Sequence, residues 1–327
     1  MTSRGNLGAS VGARLLKRAR ETGDDVQTLL TRYCLERFLY RLGVSDARDR
    51  FVLKGAMLLR VWSDRPYRAT RDLDLLRRGD GTFDAIRNDI RTVIATLAPQ
   101  DAVTFDADSV RIESIRAEDE YGGARATVSA RCGKARLLLQ IDIGLGDAVW
   151  PQPKLCQYPA LLDFPAPEVL AYTPSTVVAE KFEAMVVLGD RNSRIKDFFD
   201  LHHLASRLDF DRATLVEAIR RTFVRRRTPI PQDDPIGLTP AYWENPSRPA
   251  QVRAFARRAG LEFPDAPANE FTRLLRAFLM PLLDDLRRGT PGDGTWRSGG
   301  PGAEMSAAIH QLPFFSYSVK KRRLEQQ

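Results

Sequence analysis

The stretch Thr70-Arg71-Asp72-Leu73-Asp74-Leu75-Leu76 decides how the chain is read. It has the pattern of a strand, in which residues two apart share a face about 6–7 Å from each other. Asp72 and Asp74 therefore stand on one face and Leu73 and Leu75 on the other. Two ionised carboxylates side by side repel unless a cation lies between them. The pair is either a solvated strand end or the seat of a divalent cation. Mg²⁺ held by one or two carboxylates plus substrate phosphates is the common biological form of the second.

Working outward, Gly79-Asp80-Gly81 closes this strand and 83–97 has amphipathic helical spacing. Three more strand-like runs follow, Val110 to Ile115, Ala124 to Arg131 and Leu137 to Ile143. Tyr121-Gly122-Gly123 and Gly133-Lys134 are short enough to join them as hairpins, which makes an antiparallel meander. In the last run Leu137, Leu139, Ile141 and Ile143 share one face, and Leu138, Gln140 and Asp142 the other. An acid in so apolar a strand is costly unless paired or metal-bound. Asp142 is thus a third carboxylate for the Asp72/Asp74 pair, or else an acid capped by backbone N–H groups near Gly144. Upstream, residues 11–42 carry helical periodicity broken at Gly23-Asp24-Asp25, and Phe51-Val-Leu leads to Gly55 and a helical turn.

Residues 151–174 hold six prolines and read as a connection. Beyond it, Thr173 followed by Pro174 fits an N-cap and first helical residue. Helices are expected over 174–188, 195–207, 211–226, 247–259 and 268–287. On the first of these, Lys181 has the apolar residues Val177, Val178, Ala184 and Met185 as neighbours, while Glu180 and Glu183 mark the solvent side. Lys181 either snorkels to water or holds a phosphate. In Asn192-Ser-Arg-Ile-Lys-Asp-Phe-Phe-Asp-Leu, Asp197 and Asp200 share a helix face with Lys196 and His203. Ser193 can cap that helix, and Arg194 lies near its N-terminus, where anions are favoured. This face is either an exposed, salt-bridged surface or part of a site.

At 327 residues the chain has room for roughly two domains at about 150 residues each. The three cysteines form no framework and the three histidines suit no zinc site, which favours a reducing, cytoplasmic setting. No run of about 18 apolar residues is present, so no membrane association is expected. The net charge of +8 concentrates in Arg220, Arg221, Arg225, Arg226 and Arg227, and in Lys320, Lys321, Arg322 and Arg323. Without these the chain is close to neutral. Arginine blocks of this kind suit phosphate contacts.

Gly55-Ala56 followed by Asp72-Leu73-Asp74 resembles the signature of the polymerase-β-like nucleotidyltransferases. More closely, the chain is similar to the nucleotidyltransferase AbiEii/AbiGii toxin family, which includes the MenT toxins. The matching stretches are Phe51-Val-Leu-Lys-Gly-Ala-Met-Leu-Leu, Arg68-Ala-Thr-Arg-Asp-Leu-Asp-Leu, Ile141-Asp-Ile-Gly-Leu-Gly-Asp, Ala179-Glu-Lys-Phe-Glu-Ala-Met, residues 192–201 and Thr222-Phe-Val-Arg-Arg-Arg. Ala56 stands where the wider superfamily often has Ser or Gly. The interval from Gly55 to Asp72 is also longer than usual.

The resemblance implies an α+β fold, a polymerase-β-like core with a mixed or antiparallel sheet flanked by helices, plus a C-terminal helical domain. It divides the chain into a nucleotidyltransferase core with N-terminal helices (1–150), a Pro-rich connection (151–173), a helical domain completing the active site (174–288), and a Gly/Pro-rich linker with a basic tail (289–327). It implies a toxin of type IV toxin–antitoxin or abortive-infection (phage-defence) systems, a monomeric enzyme that transfers a nucleoside monophosphate from an NTP to the 3′ end of tRNA and so blocks translation. The expected catalytic residues are Asp72, Asp74, Lys181 and Asp200, with Mg²⁺ on Asp72, Asp74 and Asp142. Lys54, Gly55, Ala56, Thr70, Arg71, Arg194, Lys196 and Arg226 are expected around the nucleotide. The partners implied are a tRNA or other RNA acceptor and a winged-helix antitoxin. A protein or small-molecule acceptor is the alternative, and a nucleotide-binding module without turnover a further one.

Overall fold

A computed structural model describes residues 3–63, 70–98, 100–115, 122–259 and 268–300. The chain falls into two compact units. One comprises the residues up to Gly146 together with Pro153–Tyr172; the other comprises Asp147–Gln152 and the residues from Thr173 on.

The first unit is α+β. Helices α1 (Ser3–Thr22) and α2 (Val26–Gly43) are separated where expected, by Gly23 in the left-handed region at φ 74°. The Asp25 side chain caps α2 by accepting from the Thr28 N–H at 2.8 Å. The sheet is built from β1 (Phe51–Lys54), β2 (Asp72–Arg77), β3 (Val103–Phe105), β4 (Arg111–Ile115), β5 (Gly123–Cys132), β6 (Ala135–Leu145), β7 (Lys154–Gln157) and β8 (Glu168–Ala171). Helix α3 (Phe83–Ala95) follows β2 and buries Ile86, Ile90 and Val93. The strand order is β3-β5-β6-β2-β1-β8-β7, with β4 also on β5.

The meander is present: β4, β5 and β6 pair antiparallel in turn. The decisive pairing is parallel, β2 against β6, while β1 runs antiparallel to β2 and parallel to β8. The sheet is therefore mixed. Its packed face carries Leu73, Leu75, Leu139 and Ile141, each with no exposed surface, and α2 lies against the sheet. At about 25 cal/mol per Å² of apolar surface removed from water, this face fixes the strand register.

The Pro-rich segment differs from a plain connection, because it supplies β7 and β8. Its prolines at 151, 153, 159, 165 and 167 all fall outside the two strands, where a missing N–H breaks no ladder.

The second unit is helical. It contains α4 (Pro174–Leu188), α5 (Ile195–Arg207), β9 (Phe210–Asp211), α6 (Arg212–Arg225), α7 (Pro240–Glu244), α8 (Arg248–Ala259), α9 (Ala268–Arg288) and β10 (Thr295–Trp296). Pro174 opens α4, and Gly189 at φ 50° ends it. Phe198 stacks on Tyr242 at 4.9 Å, and Phe199 meets Phe255 and Phe271 at 4.7 and 5.0 Å, so the aromatic side chains of α5 form core.

Residues 289–300, expected as a linker, are folded onto this unit. β10 pairs with β9, Trp296 Nε1 donates to the Ala205 carbonyl at 2.8 Å, and the Gly292 N–H donates to buried Asp285 at 2.9 Å. The basic tail, Lys320 to Arg323, lies outside the described residues. Among the described residues, no helix is long and apolar enough to cross a membrane.

Candidate active site

The open face of the first unit's sheet carries a row of charged side chains across four strands, two acids flanked by two cations. In register, Arg125 of β5 stands opposite Asp142 of β6, Asp142 beside Asp74 of β2, and Asp74 opposite Lys54 of β1. Cross-strand partners lie on one face about 5 Å apart, so Asp74 and Asp142 are immediate neighbours. Asp72, two residues along β2, extends the row beside Gln140. Asp72 is exposed, and Asp74 and Asp142 are half-buried.

The loop that precedes the row presses against it. Gly55 has φ 70°, and a Cβ built there would lie 2.0 Å from Asp74 Oδ2 and 2.6 Å from its carboxyl carbon. Only a residue without a side chain lets the backbone approach the carboxylate this closely. Ala56 follows in the 3-10 turn Gly55–Arg60. Thr70 braces the start of β2: its Oγ1 accepts from the Asp72 N–H at 3.3 Å. Lys54 Nζ lies 5.3 Å from the centre of the Tyr172 ring.

Asp142, expected as a third metal ligand, is gripped by Arg125. Nε donates to Oδ1 at 2.8 Å and Nη2 to Oδ2 at 2.9 Å, a two-pronged geometry. This hydrogen bonding holds the Arg125 guanidinium above its ordinary pKa. Arg125 was not anticipated as a site residue. Its signal is in the sequence: a two-residue turn at Gly133-Lys134 fixes a hairpin register that sets Arg125 opposite Asp142. Arg71 faces elsewhere, donating to Thr28 Oγ1 at 2.7 Å beside the Asp25 cap.

Among the described residues, no group of three or more His, Cys, Asp or Glu side chains is spaced to hold a metal ion. The fit for Mg²⁺ is therefore that of a carboxylate pair, Asp72 and Asp74, with substrate oxygens completing the shell. Mg²⁺ usually takes that form rather than an all-protein cage. The Gly55 approach is consistent with it, since a space that a Cβ would fill lies directly against the Asp74 carboxylate.

In the helical unit, Lys181 is neither snorkelling nor alone. Its ammonium lies 2.6 Å from Asp197 Oδ1 and 2.7 Å from Asp200 Oδ2. Its side chain is 16% exposed, against 8% for Asp197 and 1% for Asp200. The face of α5 bearing Asp197, Asp200 and His203 is thus buried rather than a solvated surface. Arg194 reaches Asp197 only at 3.9 Å, and Lys196 is exposed. The cap differs from expectation as well: Arg194 is the N-cap residue and no side chain caps α5, while Asn192 Oδ1 accepts from the Arg194 N–H at 2.9 Å in the turn before it.

Arg226 sits among acids. It donates to Glu183 Oε2 at 2.7 Å and to Asp147 Oδ1 at 3.1 Å, with Glu180 at 3.6 Å. Burial opposes the charge, but Glu180, Asp147 and Glu183 together hold this guanidinium above its ordinary pKa. Thr228 Oγ1 also donates to Glu183, at 2.6 Å. Glu183 was read as solvent-facing and is buried. The reason is that α4 is enclosed nearly all round, so a single apolar stripe does not describe it. Arg220 and Arg221 pair with Glu217 at 2.7 and 2.6 Å, so much of the arginine block is engaged within the protein.

A family model described as nucleotidyl transferase AbiEii toxin, type IV TA system, matches residues 37–287. No curated protein matches the chain. Among solved structures, the MenT4 nucleotidyltransferase toxin of Mycobacterium tuberculosis H37Rv is 20% identical, with 85% of this chain and 98% of that one covered at a TM-score of 0.45. JHP933 from Helicobacter pylori is 12% identical, with 88% and 99% covered at a TM-score of 0.43. The family match takes in the Gly55 loop, the whole carboxylate row, Lys181 with its two aspartates, and Arg226, and on it the chain belongs to the AbiEii nucleotidyltransferase toxin family of type IV toxin–antitoxin systems.

Proposed function

We propose that the protein transfers a nucleoside monophosphate from an NTP to RNA, at the 3′ end of a tRNA, and thereby blocks translation. The observation that carries this reading is the carboxylate row, with two adjacent acids on one open sheet face and a glycine backbone held against Asp74. In the reaction an acceptor hydroxyl oxygen bonds to the α-phosphorus, the bond to the β-phosphate oxygen breaks, and pyrophosphate leaves. Mg²⁺ on Asp72 and Asp74 would supply positive charge for the attacking and leaving oxygens.

The chain's own residues have separable parts. Gly55 and Thr70 set where Asp74 and Asp72 stand. Asp142, fixed by the Arg125 fork, is oriented to accept the proton of the acceptor hydroxyl. By the family motif, Lys181 meets the triphosphate and Asp200 works beside it. The two carboxylates on Lys181 hold its ammonium extended and charged until phosphate oxygens compete for it. Arg226, ringed by three acids, fixes Glu183 and by the family motif lies near the phosphates. Growth arrest would be relieved by a winged-helix antitoxin.

The test is to supply each labelled NTP in turn with Mg²⁺ and total tRNA. RNA becomes labelled by wild type and not by Asp72→Ala. Label in protein or in a small molecule with RNA unlabelled would point to another acceptor. No transfer with any NTP would overturn the reading.

A further inference from the structure

The carboxylate row is one end of a longer feature. Away from it, the β5–β6 hairpin shows its open face as successive rungs: Thr127 opposite Gln140, Ser129 opposite Leu138, and Arg131 opposite Arg136. The alternate residues of both strands are buried, so the rungs form one continuous strip. Asp142 and Arg136 are six residues apart, which is about 20 Å of strand.

Three features of the strip call for an anionic, base-bearing partner. Arg131 and Arg136 are exposed and directly opposite, and like charges so placed destabilise a strand pair unless an anion lies between them. Lys134 at the turn adds a third exposed cation. Between this tip and the carboxylates, Leu138 is 68% exposed, an apolar side chain set among the hydroxyl and amide groups of Ser129, Thr127 and Gln140. Beside the tip a groove of about 430 Å³ runs between Phe105, Arg131, Arg136 and Leu138. Asp106 also lines it, but its carboxylate accepts from the Asp108 N–H at 3.0 Å within its own turn.

We propose that this hairpin face guides the single-stranded end of the acceptor RNA, with the Arg131/Lys134/Arg136 tip gripping phosphates and the strip leading the terminal hydroxyl to Asp72 and Asp74. The inference rests on the RNA-acceptor reading above. Charge complementarity selects the partner: cations at one end, carboxylates at the other, and between them apolar and hydrogen-bonding groups suited to splayed bases. An extended backbone a few nucleotides long spans the strip.

The experiment compares wild type with Arg131→Glu/Arg136→Glu by fluorescence anisotropy. The probes are an RNA hairpin with a single-stranded 3′ overhang and the same hairpin with a blunt end, across a salt series. Circular dichroism checks that the variant is folded, as exposed positions allow. Wild type should prefer the overhang, and the variant should bind it at least about tenfold more weakly, with the salt slope reduced by roughly 1.4 for two phosphate contacts. The preference for overhang over blunt end should vanish. Unchanged overhang affinity, or an equal loss on both probes, overturns the guide. Wild type that binds neither probe overturns the RNA-acceptor reading itself, and with it this path.

Discussion

Gly55→Ala is the sharpest perturbation the structure offers. Two costs separate cleanly. At φ 70° an alanine pays left-handed strain of roughly 1–2 kcal/mol. Its Cβ would also sit 2.0 Å from Asp74 Oδ2, where ordinary contact begins near 3.4 Å, so carboxylate and loop must part by more than 1 Å. A misplacement of about 1 Å in a reacting constellation costs on the order of 100-fold in rate. Gly79 supplies the control: it has φ 84°, and nothing lies within 4 Å of a Cβ placed there. Gly79→Ala should therefore lose similar stability in urea titration and keep its transfer activity. Gly55→Ala should lose at least that stability, since the contact adds to the strain, and about 100-fold of labelled RNA per unit time at saturating NTP. If Gly55→Ala turns over like Gly79→Ala, the close approach to Asp74 has no part in catalysis and the reading of the row fails.

Other consequences can be measured alongside. Arg125→Met leaves Asp142 on the half-buried row without its fork, so transfer should fall while Arg125→Lys recovers only part of it, because an ammonium cannot reproduce both hydrogen bonds; equal activity of the two variants would refute the orienting role. Lys181→Ala leaves Asp197 and Asp200 facing each other in the interior and should cost about 3–5 kcal/mol in urea unfolding. Adding Asp197→Asn should restore much of that stability without restoring transfer, and recovery of both would show that Lys181 matters only for folding. His202 and His203 are held down to about pKa 4 from 6.5, chiefly by burial, then by a neighbouring charge, His203 for the first and Arg207 for the second. Between pH 6.5 and about 4 the unfolded chain binds protons that the folded chain does not, so stability falls as pH drops through that window and flattens below it. The expected loss is on the order of 3 kcal/mol for the buried His203, and less for half-buried His202. A urea midpoint that is as steep in pH for His203→Asn as for wild type would contradict this.

What the sequence made legible follows the range of each signal. Period-two alternation is local, so Asp72/Asp74 and the two faces of 137–143 could be read directly, and burial follows that alternation residue by residue. The adjacency of Asp74 and Asp142 depends on a parallel pairing between strands some 70 residues apart, which no local pattern encodes; the cost of an acid in an apolar strand made it one of two readings, and the family motif favoured it. Arg125 falls between these cases, since a hairpin register was enough to find it. The acids around Arg226 escaped because Glu180 and Glu183 were taken to mark a solvated side, whereas α4 is packed on nearly every side and its acids are tolerated by ion pairing. β7 and β8 escaped because strands of four residues between prolines carry too little pattern.

The same distinction reorders the meaning of the net charge. Counting cations singles out Arg220 to Arg227 as the phosphate-binding feature, yet Glu217 holds Arg220 and Arg221, and Glu183 with Asp147 holds Arg226. An arginine fixed by a carboxylate offers an anion little new attraction, because its field is already compensated at close range. The hairpin tip has only three cations, but the strand register forces two of them to face each other in the open, and that arrangement is eased by an incoming phosphate. On the proposed reading it is charge placement, rather than charge count, that would direct an RNA end toward the carboxylate row, and reversing two tip arginines should weaken RNA binding more than reversing Arg220 and Arg221, in the same anisotropy assay.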